Sequence, residues 1–429
     1  MKTVYKNLNI LNGRSDMTLQ ENMMIVVENE KIVAITATAD VSADKVVDCQ
    51  GKYVIPGLIN MHVHTPGSGF PKKKESDSRK LAQFMMSNPV TSLIAKAMCK
   101  NYVQTELYSG TTTIRTVGGL GHIDSSLRDD IQNNKFAGPR MLTSDMAVTI
   151  PGGHMEGSVA YGAKDDEDFV RFIKENVKSG VNWIKIMITG GVLDAKVKGE
   201  PGEMRMNAHQ VKLCCDTAHT LGLKVCAHVE SPKGVVVALE NGVDTIEHGS
   251  DMDEATLALF KERNASLICT ISPAVPLSKI SPEITKANEM VVYNSQVLMD
   301  SILEGTKKCL KNGVKVGLGT DTVCPFVTHY DMWRELEYAH KLLGVSRKEA
   351  LYLGTLSNAE ILGLDQEIGS LEVGKSADFV VVNDNPLDGF STIRQPVMVC
   401  ARGKLYEKLQ VKKSPLCEEE LDKYLASLN

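Results

Sequence analysis

The chain has 429 residues, of which 43% are hydrophobic and 24% charged. This composition excludes a disordered, collagen-like or coiled-coil protein, and the length suits a large catalytic domain with a smaller one. A formal net charge of −5 and an aromatic content of 5% argue against nucleic acid as a partner. No apolar run is long enough to cross a bilayer or to form a signal peptide. We therefore expect a cytoplasmic protein with no membrane partner.

Short strands and turns are predicted at both ends of the chain. Residues 1–55 alternate polar and apolar side chains and break at Gly, Asn and Asp, which predicts a small antiparallel sheet. The same pattern of short strands and turns returns in residues 364–412. We predict that both regions build one small β-sandwich domain. Residues 413–429 are typical of an amphipathic C-terminal helix.

Residues 56–363 alternate apolar runs with helical patterns. The eight runs are YVIPGLI, TTTIRTV, RMLTSDMAV, NWIKIMI, LKVCAHV, VDTIEHG, ASLICTI and VKVGLGT. Apolar strands that alternate with helices predict a parallel sheet with both faces covered, and eight such units predict a (β/α)8 TIM-like barrel. The alternative is a doubly wound sheet, which should carry a GxGxxG turn after its first strand. No such turn follows the first run.

Six side chains that can bind metal ions fall on the predicted barrel strands. They are His62, His64, Lys185, His228, His248 and Asp321. Strand residues alternate between faces, so His62 and His64 point to the same side. Strand C-termini of a barrel meet at the face that carries the active site. One histidine on a strand is usually an ordinary core residue, but this set favours a shared site.

Lys185 lies in the apolar run NWIKIMI, where a barrel would bury its ammonium group. Burial lowers the pKa of a lysine, and a neutral amine can react with carbon dioxide to form a carbamate. This anionic group could bridge two divalent metal ions; the alternative is a buried lysine paired with an acid. Two imidazoles and Asp321 would hold one ion, and two imidazoles the other. Nitrogen and oxygen ligands suit Zn²⁺, with Mn²⁺, Co²⁺ or Fe²⁺ as alternatives.

These motifs resemble the amidohydrolase superfamily of metal-dependent hydrolases. VIPGLINMHVH, AHVES, TIEHG and GLGTDT match its successive metal motifs, and TLSNAEILGLDQEIGSLEVGKSADFVVVNDNP matches its return from the barrel to the β domain. KIMITGG followed by AHVE and DTIEHG is similar to the branch of prolidase-like dipeptidases and imidazolonepropionase-related enzymes. Members of that branch have two metal ions and a carboxylated lysine.

The resemblance implies a role for each of the six residues. His62, His64 and Asp321 would hold the more buried ion. His228 and His248 would hold the other, and Lys185 would bridge both. His154 in PGGHMEG matches a substrate-contacting histidine. The resemblance also implies a homo-oligomer. Dipeptidase members often carry a tyrosine shortly after the strand-five histidine, but the segment here is HVESP, so dipeptide specificity stays open.

The predicted function is hydrolysis of an amide-like C–N bond in a small molecule: a dipeptide, an N-acyl amino acid or a cyclic amide. A hydroxide bridging the two ions would attack the carbonyl carbon. His154 would donate a hydrogen bond to the oxyanion. Asp321 would carry a proton from the attacking water to the leaving nitrogen.

Two other functions are compatible with parts of this sequence. A metal-dependent deaminase of an amino-heterocycle would use one metal ion, and such enzymes often place a glutamate three residues after the strand-five histidine. Here Glu230 follows His228 by two residues. A non-catalytic scaffold is the third hypothesis, but such relatives usually lose metal ligands, and all six candidates are present here.

Overall fold

The chain begins with four strands of one sheet. In this computed structural model, which describes residues 1–38, 42–71 and 77–428, they are β1 (Lys2–Ile10), β2 (Gln20–Glu28), β3 (Lys31–Thr36) and β4 (Lys45–Pro56). β1 and β2 pair antiparallel, as do β2 and β3. β1 and β4 run parallel, so the prediction of a purely antiparallel sheet is wrong. The sheet order β4-β1-β2-β3 puts β4 on the edge of β1 opposite the β2–β3 hairpin, in the same direction as β1.

The strands of the barrel come next. They are β5 (Leu58–Val63), β6 (Thr111–Thr116), β7 (Arg140–Leu142), β8 (Ala147–Thr149), β9 (Ala160–Gly162), β10 (Trp183–Met187), β11 (Lys224–Val229), β12 (Thr245–His248), β13 (Ser266–Cys269) and β14 (Val316–Leu318). One sheet has the order β5-β6-β7 and another the order β14-β13-β12-β11-β10-β8-β9, with parallel pairing throughout. The predicted run RMLTSDMAV supplies both β7 and β8, so it contributes one strand to each sheet.

Side chains join the first barrel strand to the last. Asn60 accepts a hydrogen bond from the Thr320 amide (3.0 Å) and donates to Thr320 Oγ1 (2.7 Å). The Asp321 amide donates to the His62 carbonyl (2.9 Å). Asn358 Nδ2 bonds to carbonyls of both strands, at 2.7 and 2.9 Å. These buried contacts fix the relative positions of His62 and Asp321, because both residues lie within the linked segments.

Helices connect the barrel strands, and three more follow the last of these strands, β14. They are α1 (Ser78–Met85), α2 (Pro89–Tyr108), α3 (Ile123–Gln132), α4 (Asp166–Lys178), α5 (Ala208–Thr220), α6 (Pro232–Glu240), α7 (Glu254–Glu262), α8 (Ala274–Lys279), α9 (Pro282–Thr285), α10 (Glu289–Lys311), α11 (Met332–Tyr338), α12 (Arg347–Leu353) and α13 (Leu356–Leu362). Asp165, Asn207, Ser231 and Asp253 each cap a helix N-terminus through the side-chain oxygen. Among the described residues, no helix is long and apolar enough to cross a membrane.

The last strands return to the N-terminal sheet. They are β15 (Phe379–Val382), β16 (Met398–Ala401) and β17 (Lys404–Tyr406), and the sheet order is β17-β16-β15-β4-β1-β2-β3. The two chain ends therefore build one β domain, and the predicted fold class is confirmed: an α/β protein with a TIM-like barrel and a separate β-rich domain. The boundaries at residues 55, 363 and 412 stay predictions.

The C-terminal helix α14 (Pro415–Ser427) packs back onto the chain. Arg334, whose side chain is 1% exposed, bonds to Glu418 at 3.0 Å and to Asp422 at 2.6 Å. Cys417 and Leu421 of the helix are buried. The predicted helix is present, and its apolar stripe and its acidic residues both contribute to docking.

Candidate metal centre

His62 and His64 project from the C-terminal end of β5 to one side, as predicted from strand alternation. His62 Nδ1 bonds to Glu247 Oε2 and His64 Nδ1 to the Gly118 carbonyl, both at 2.8 Å. Because Nδ1 must be the donor in both contacts, the lone pair of each ring is on Nε2. Both Nε2 atoms approach Asp321 Oδ1, at 3.3 and 3.2 Å. The three side chains thus present unshared ligand atoms to a common point.

Asp321 follows β14 with a left-handed backbone (φ +55°), a conformation that is costly for a non-glycine residue and typical of functional sites. Its Oδ2 atom accepts a hydrogen bond from the Cys324 thiol at 3.3 Å. Burial raises the pKa of Asp321, but His62, His64 and His248 outweigh burial and hold the pKa well below the ordinary value. The carboxylate is therefore ionised and ready to bind a cation.

His228 and His248 end the neighbouring strands β11 and β12, and their ring centroids are 4.7 Å apart. His228 Nε2 donates to the Gly190 carbonyl at 3.1 Å, which leaves Nδ1 as its ligand atom. His248 Nδ1 bonds to Thr270 Oγ1 at 2.7 Å, which leaves Nε2. Burial holds the pKa of both imidazoles well below 6.5. This direction favours the neutral imidazole, which is the form that binds metal ions.

Lys185 lies in the middle of β10 and is fully buried. Within the described part of the chain, its Nζ atom has no hydrogen-bond partner. Burial lowers the pKa of this amine, although the charges of Glu247 and Asp321 oppose the shift. A buried amine without a partner is costly, so a bound group that engages Nζ would remove that cost.

The donor set fits divalent metal ions. The ligand atoms of His62, His248 and Asp321 lie within 4.8 Å of one another, and so do those of His228, Glu230 and His248. The two groups share His248, and the ring centroids of His62 and His248 are 4.8 Å apart. Imidazole nitrogen and carboxylate oxygen are ligands that Zn²⁺ accepts, and no thiolate is needed.

A buried ion pair holds Glu247, the carboxylate that accepts the hydrogen bond of His62. Arg115 Nη2 contacts Glu247 Oε1 at 2.6 Å, and both side chains are fully buried. Arg115 Nε also donates to the Met61 carbonyl at 2.9 Å. Burial raises the pKa of Glu247, but Arg115 and His62 outweigh it and hold the pKa below the ordinary value. The sequence analysis missed Glu247. The sequence did indicate this residue, because a carboxylate inside the apolar run VDTIEHG must find a partner if the strand is buried.

His154 lies in the loop between β8 and β9. Its ring stacks on His228, with centroids 4.2 Å apart and an interplanar angle of 10°. His154 Nδ1 bonds to Asp194 Oδ2 at 3.2 Å, which leaves Nε2 for another contact. The structure therefore places the predicted substrate-contacting histidine directly against the imidazole pair.

Glu230 is a further group that sequence reasoning left without a role. It follows β11 directly, its side chain is 8% exposed, and its Oε1 atom lies 3.9 Å from His228 Nε2. Burial raises the pKa of Glu230 well above its ordinary value, and the charges of Asp321 and Asp194 add to the shift. Its position in the sequence could have indicated a role in the site, because Glu230 follows a candidate ligand at the end of a barrel strand by two residues.

Comparison with known proteins identifies the family of the chain. The model of the amidohydrolase family matches residues 53–406. A crystal structure from Bifidobacterium longum, proposed to be a prolidase, superposes with a TM-score of 0.86 at 35% identity, and 98% of each chain is covered. Ochratoxinase from Aspergillus niger is 24% identical over 422 residues, which cover 90% of this chain and 83% of that protein.

A third relative has a different activity in its name. The 5-methylthioadenosine/S-adenosylhomocysteine deaminase of Bacillus cereus is 25% identical over 406 residues, covering 89% of this chain and 86% of the relative. The family model spans the barrel and the C-terminal strands of the β domain, and its range includes all six candidate ligands. The chain belongs to the amidohydrolase family.

Proposed function

We propose that this protein is a binuclear metal-dependent amidohydrolase that cleaves an amide-like C–N bond in a dipeptide, an N-acyl amino acid or a cyclic amide. The observation that carries the proposal is Lys185, whose buried Nζ atom has no partner among the described residues. Its charge acts on both His62 and His228, one from each donor group. A carbamate on this amine would supply two anionic oxygens between the two groups.

The residues divide into two ligand sets. His62, His64 and Asp321 would hold one ion, and His228 and His248 would hold the other. Lys185, as its carbamate, would contribute to both sets. When bound, two zinc ions would supply Lewis acidity and a nucleophile that is active at neutral pH.

Two side chains of the centre suit proton transfer and charge stabilisation. The pKa of Asp321 lies well below its ordinary value, so its ionised carboxylate would accept the proton of the attacking water and return it to the leaving nitrogen. His154 would donate a hydrogen bond from Nε2 to the oxyanion. Asp194 accepts from Nδ1, so donation from Nε2 as well requires the imidazolium form, which carries an N–H on both ring nitrogens.

The first test combines metal content with turnover. We expect two zinc ions per chain by elemental analysis after loading with zinc and bicarbonate, and a carbamate resonance after loading with ¹³C-bicarbonate. The loaded enzyme is assayed on dipeptides, N-acyl amino acids, cyclic amides and amino-heterocycles, with amines and ammonia measured separately. Lys185→Met should lose the resonance and nearly all turnover. Lys348→Met, at an exposed position of α12, is the matched control. A zinc-free wild-type protein would contradict the proposal.

The second candidate is a mononuclear deaminase of an amino-heterocycle. It is favoured by the deaminase among the similar proteins and by a buried acid, Glu230, beside His228 and His248. Ammonia release from a heterocycle, one zinc ion per chain and an active Lys185→Met variant would together replace the first proposal by this one.

A further inference from the structure

An apolar surface stays exposed on helices α1 and α2. Seven of the seventeen large apolar side chains that are exposed on the described part of the chain lie within residues 81–98. Three of them, Phe84, Val90 and Leu93, are 61%, 69% and 68% exposed. Single exposed apolar residues are ordinary, but a cluster of this kind marks an interaction site. The α1–α2 surface is defined by Leu81, Phe84, Met86, Val90, Leu93, Ile94 and Met98.

Helix α2 is apolar on two opposite sides. Its four members of the α1–α2 surface recur every three or four residues, so they share one side of the helix. The opposite side packs into the core through Ala95, Cys99, Val103 and Leu107. A surface helix has one apolar stripe, whereas a helix that is apolar all round is buried on every side. The second apolar side of α2 therefore predicts a partner that covers it.

Hydrogen bonds hold the two helices in place relative to each other. Asn88 caps α2 by accepting from the amides of Val90 and Thr91, at 3.0 and 3.1 Å. Ser92 Oγ donates to the Met85 carbonyl at 3.3 Å, which joins the start of α2 to the end of α1. The α1–α2 surface is thus formed before any partner binds, and preformed surfaces associate at a lower cost in conformational entropy.

The charge pattern favours a second copy of this chain over a lipid membrane as the partner. Residues 81–95 contain no charged side chain, so two copies can face each other across a two-fold axis without like-charge repulsion. An anionic lipid surface attracts basic residues at the rim of an apolar surface, but the basic residues that flank this one have acidic partners. The pairs are Arg79–Glu156 and Lys96–Asp130, both at 2.6 Å, and Lys80–Asp77 at 3.6 Å.

The size of the α1–α2 surface also suits a dimer. At about 150 Å² for a fully exposed large side chain, the exposed fractions of the seven residues leave roughly 550 Å² of apolar area. Covering this area on two copies would bury roughly 1,100 Å², close to the range of about 1,200–2,000 Å² for stable interfaces. The polar residues of the same helices would add to the buried area.

We propose that a second copy of this chain covers the α1–α2 surface, so that the protein is a two-fold symmetric dimer joined through α1 and α2 of each copy. This interface lies beside the candidate metal centre. Arg79 Nε of α1 donates to the Glu156 carbonyl at 3.0 Å, and Glu156 follows His154 by two residues. Dimer formation would therefore restrain α1 and, through Arg79, the loop that carries His154. The dimer does not depend on which reaction the centre catalyses.

Molar mass measured by light scattering tests the interface. The full-length protein is compared with Phe84→Glu, Leu93→Glu and Val373→Glu at about 0.1–100 µM. Val373 is 63% exposed in a turn before β15 and serves as the control. We expect wild type and control to reach at least the mass of two chains. Each helix variant should weaken association by at least about 100-fold, because it places two carboxylates in an apolar interface. A monomeric wild type, or equal association of all four proteins, would overturn the proposal.

Cross-linking keeps the proposal testable if a glutamate variant fails to fold. Leu93→Cys and Val373→Cys are treated with a bismaleimide, and nine of the ten native cysteines are buried. We expect a covalent dimer from Leu93→Cys alone, because a two-fold axis brings both copies of Leu93 into one interface. Equal yields from both variants would contradict the interface. Sedimentation of a monomeric wild type with vesicles of phosphatidylcholine and phosphatidylserine would overturn it in favour of a lipid surface.

Discussion

Replacement of Lys185 by methionine is expected to change stability in opposite directions with and without metal. Methionine keeps most of the apolar stem and removes the amine, whose Nζ atom is buried without a partner among the described residues. Leaving a buried donor unsatisfied costs about 1–3 kcal/mol, and a swap of similar volume costs less than about 1.5 kcal/mol. We therefore expect the metal-free variant to be more stable than the metal-free wild type by about 1–2 kcal/mol.

Zinc should make the wild type more stable than the Lys185→Met variant. At a free zinc concentration 100 times its dissociation constant, binding stabilises the wild type by about 2.7 kcal/mol per site. The variant lacks the bridging group and should gain less than about 1 kcal/mol under the same conditions. Urea unfolding in EDTA and in zinc with bicarbonate gives the four free energies, with Lys348→Met as the control. A metal-free variant less stable than wild type, or equal stabilisation of both proteins by zinc, would refute the assignment of Lys185.

Three further changes follow from the contacts described above. Asp321→Asn should lower kcat by at least about 10²–10⁴-fold, the range of general acid–base catalysis, with reduced zinc content; unchanged turnover would exclude proton transfer by Asp321. Glu247→Gln should lower the free energy of unfolding by about 3–5 kcal/mol in urea, because it leaves Arg115 buried without its charge partner; a loss below about 1 kcal/mol would show that this ion pair is dispensable. Arg334→Met should speed hydrogen exchange in α14, and unchanged exchange would contradict its docking role. Burial raises the pKa of Asp422, but the neighbouring arginines outweigh it and hold the pKa below the ordinary value. Its contribution to docking is therefore complete above about pH 4 and lost as the pH falls through the lowered pKa. The protection of α14, corrected for the intrinsic exchange rate, should fall only in that acid range, and protection that stays constant throughout it would argue against this role.

Local pattern was enough to predict the barrel and to place the candidate donor residues on its strands or directly after them. Buried parallel strands are apolar along their whole length, so each run that ends in a histidine or aspartate marks a ligand position at the barrel face. Alternation along β5 correctly put His62 and His64 on the same side. The parallel pairing of β1 with β4 could not be predicted from the sequence, because alternating polarity does not distinguish strand direction.

The tertiary structure decided which atoms of the donor residues are free. The Gly118 carbonyl orients His64, Glu247 orients His62, Thr270 orients His248 and Gly190 orients His228. These partners come from other strands and loops, and no local spacing identifies them. The same holds for Glu230, on which Asp321 and Asp194 act from distant parts of the chain. The sequence by itself determined the strands and the candidate donor residues that they carry, because periodicity and polarity are local properties. Their orientation and electrostatic surroundings were decided only by contacts between residues far apart in the chain.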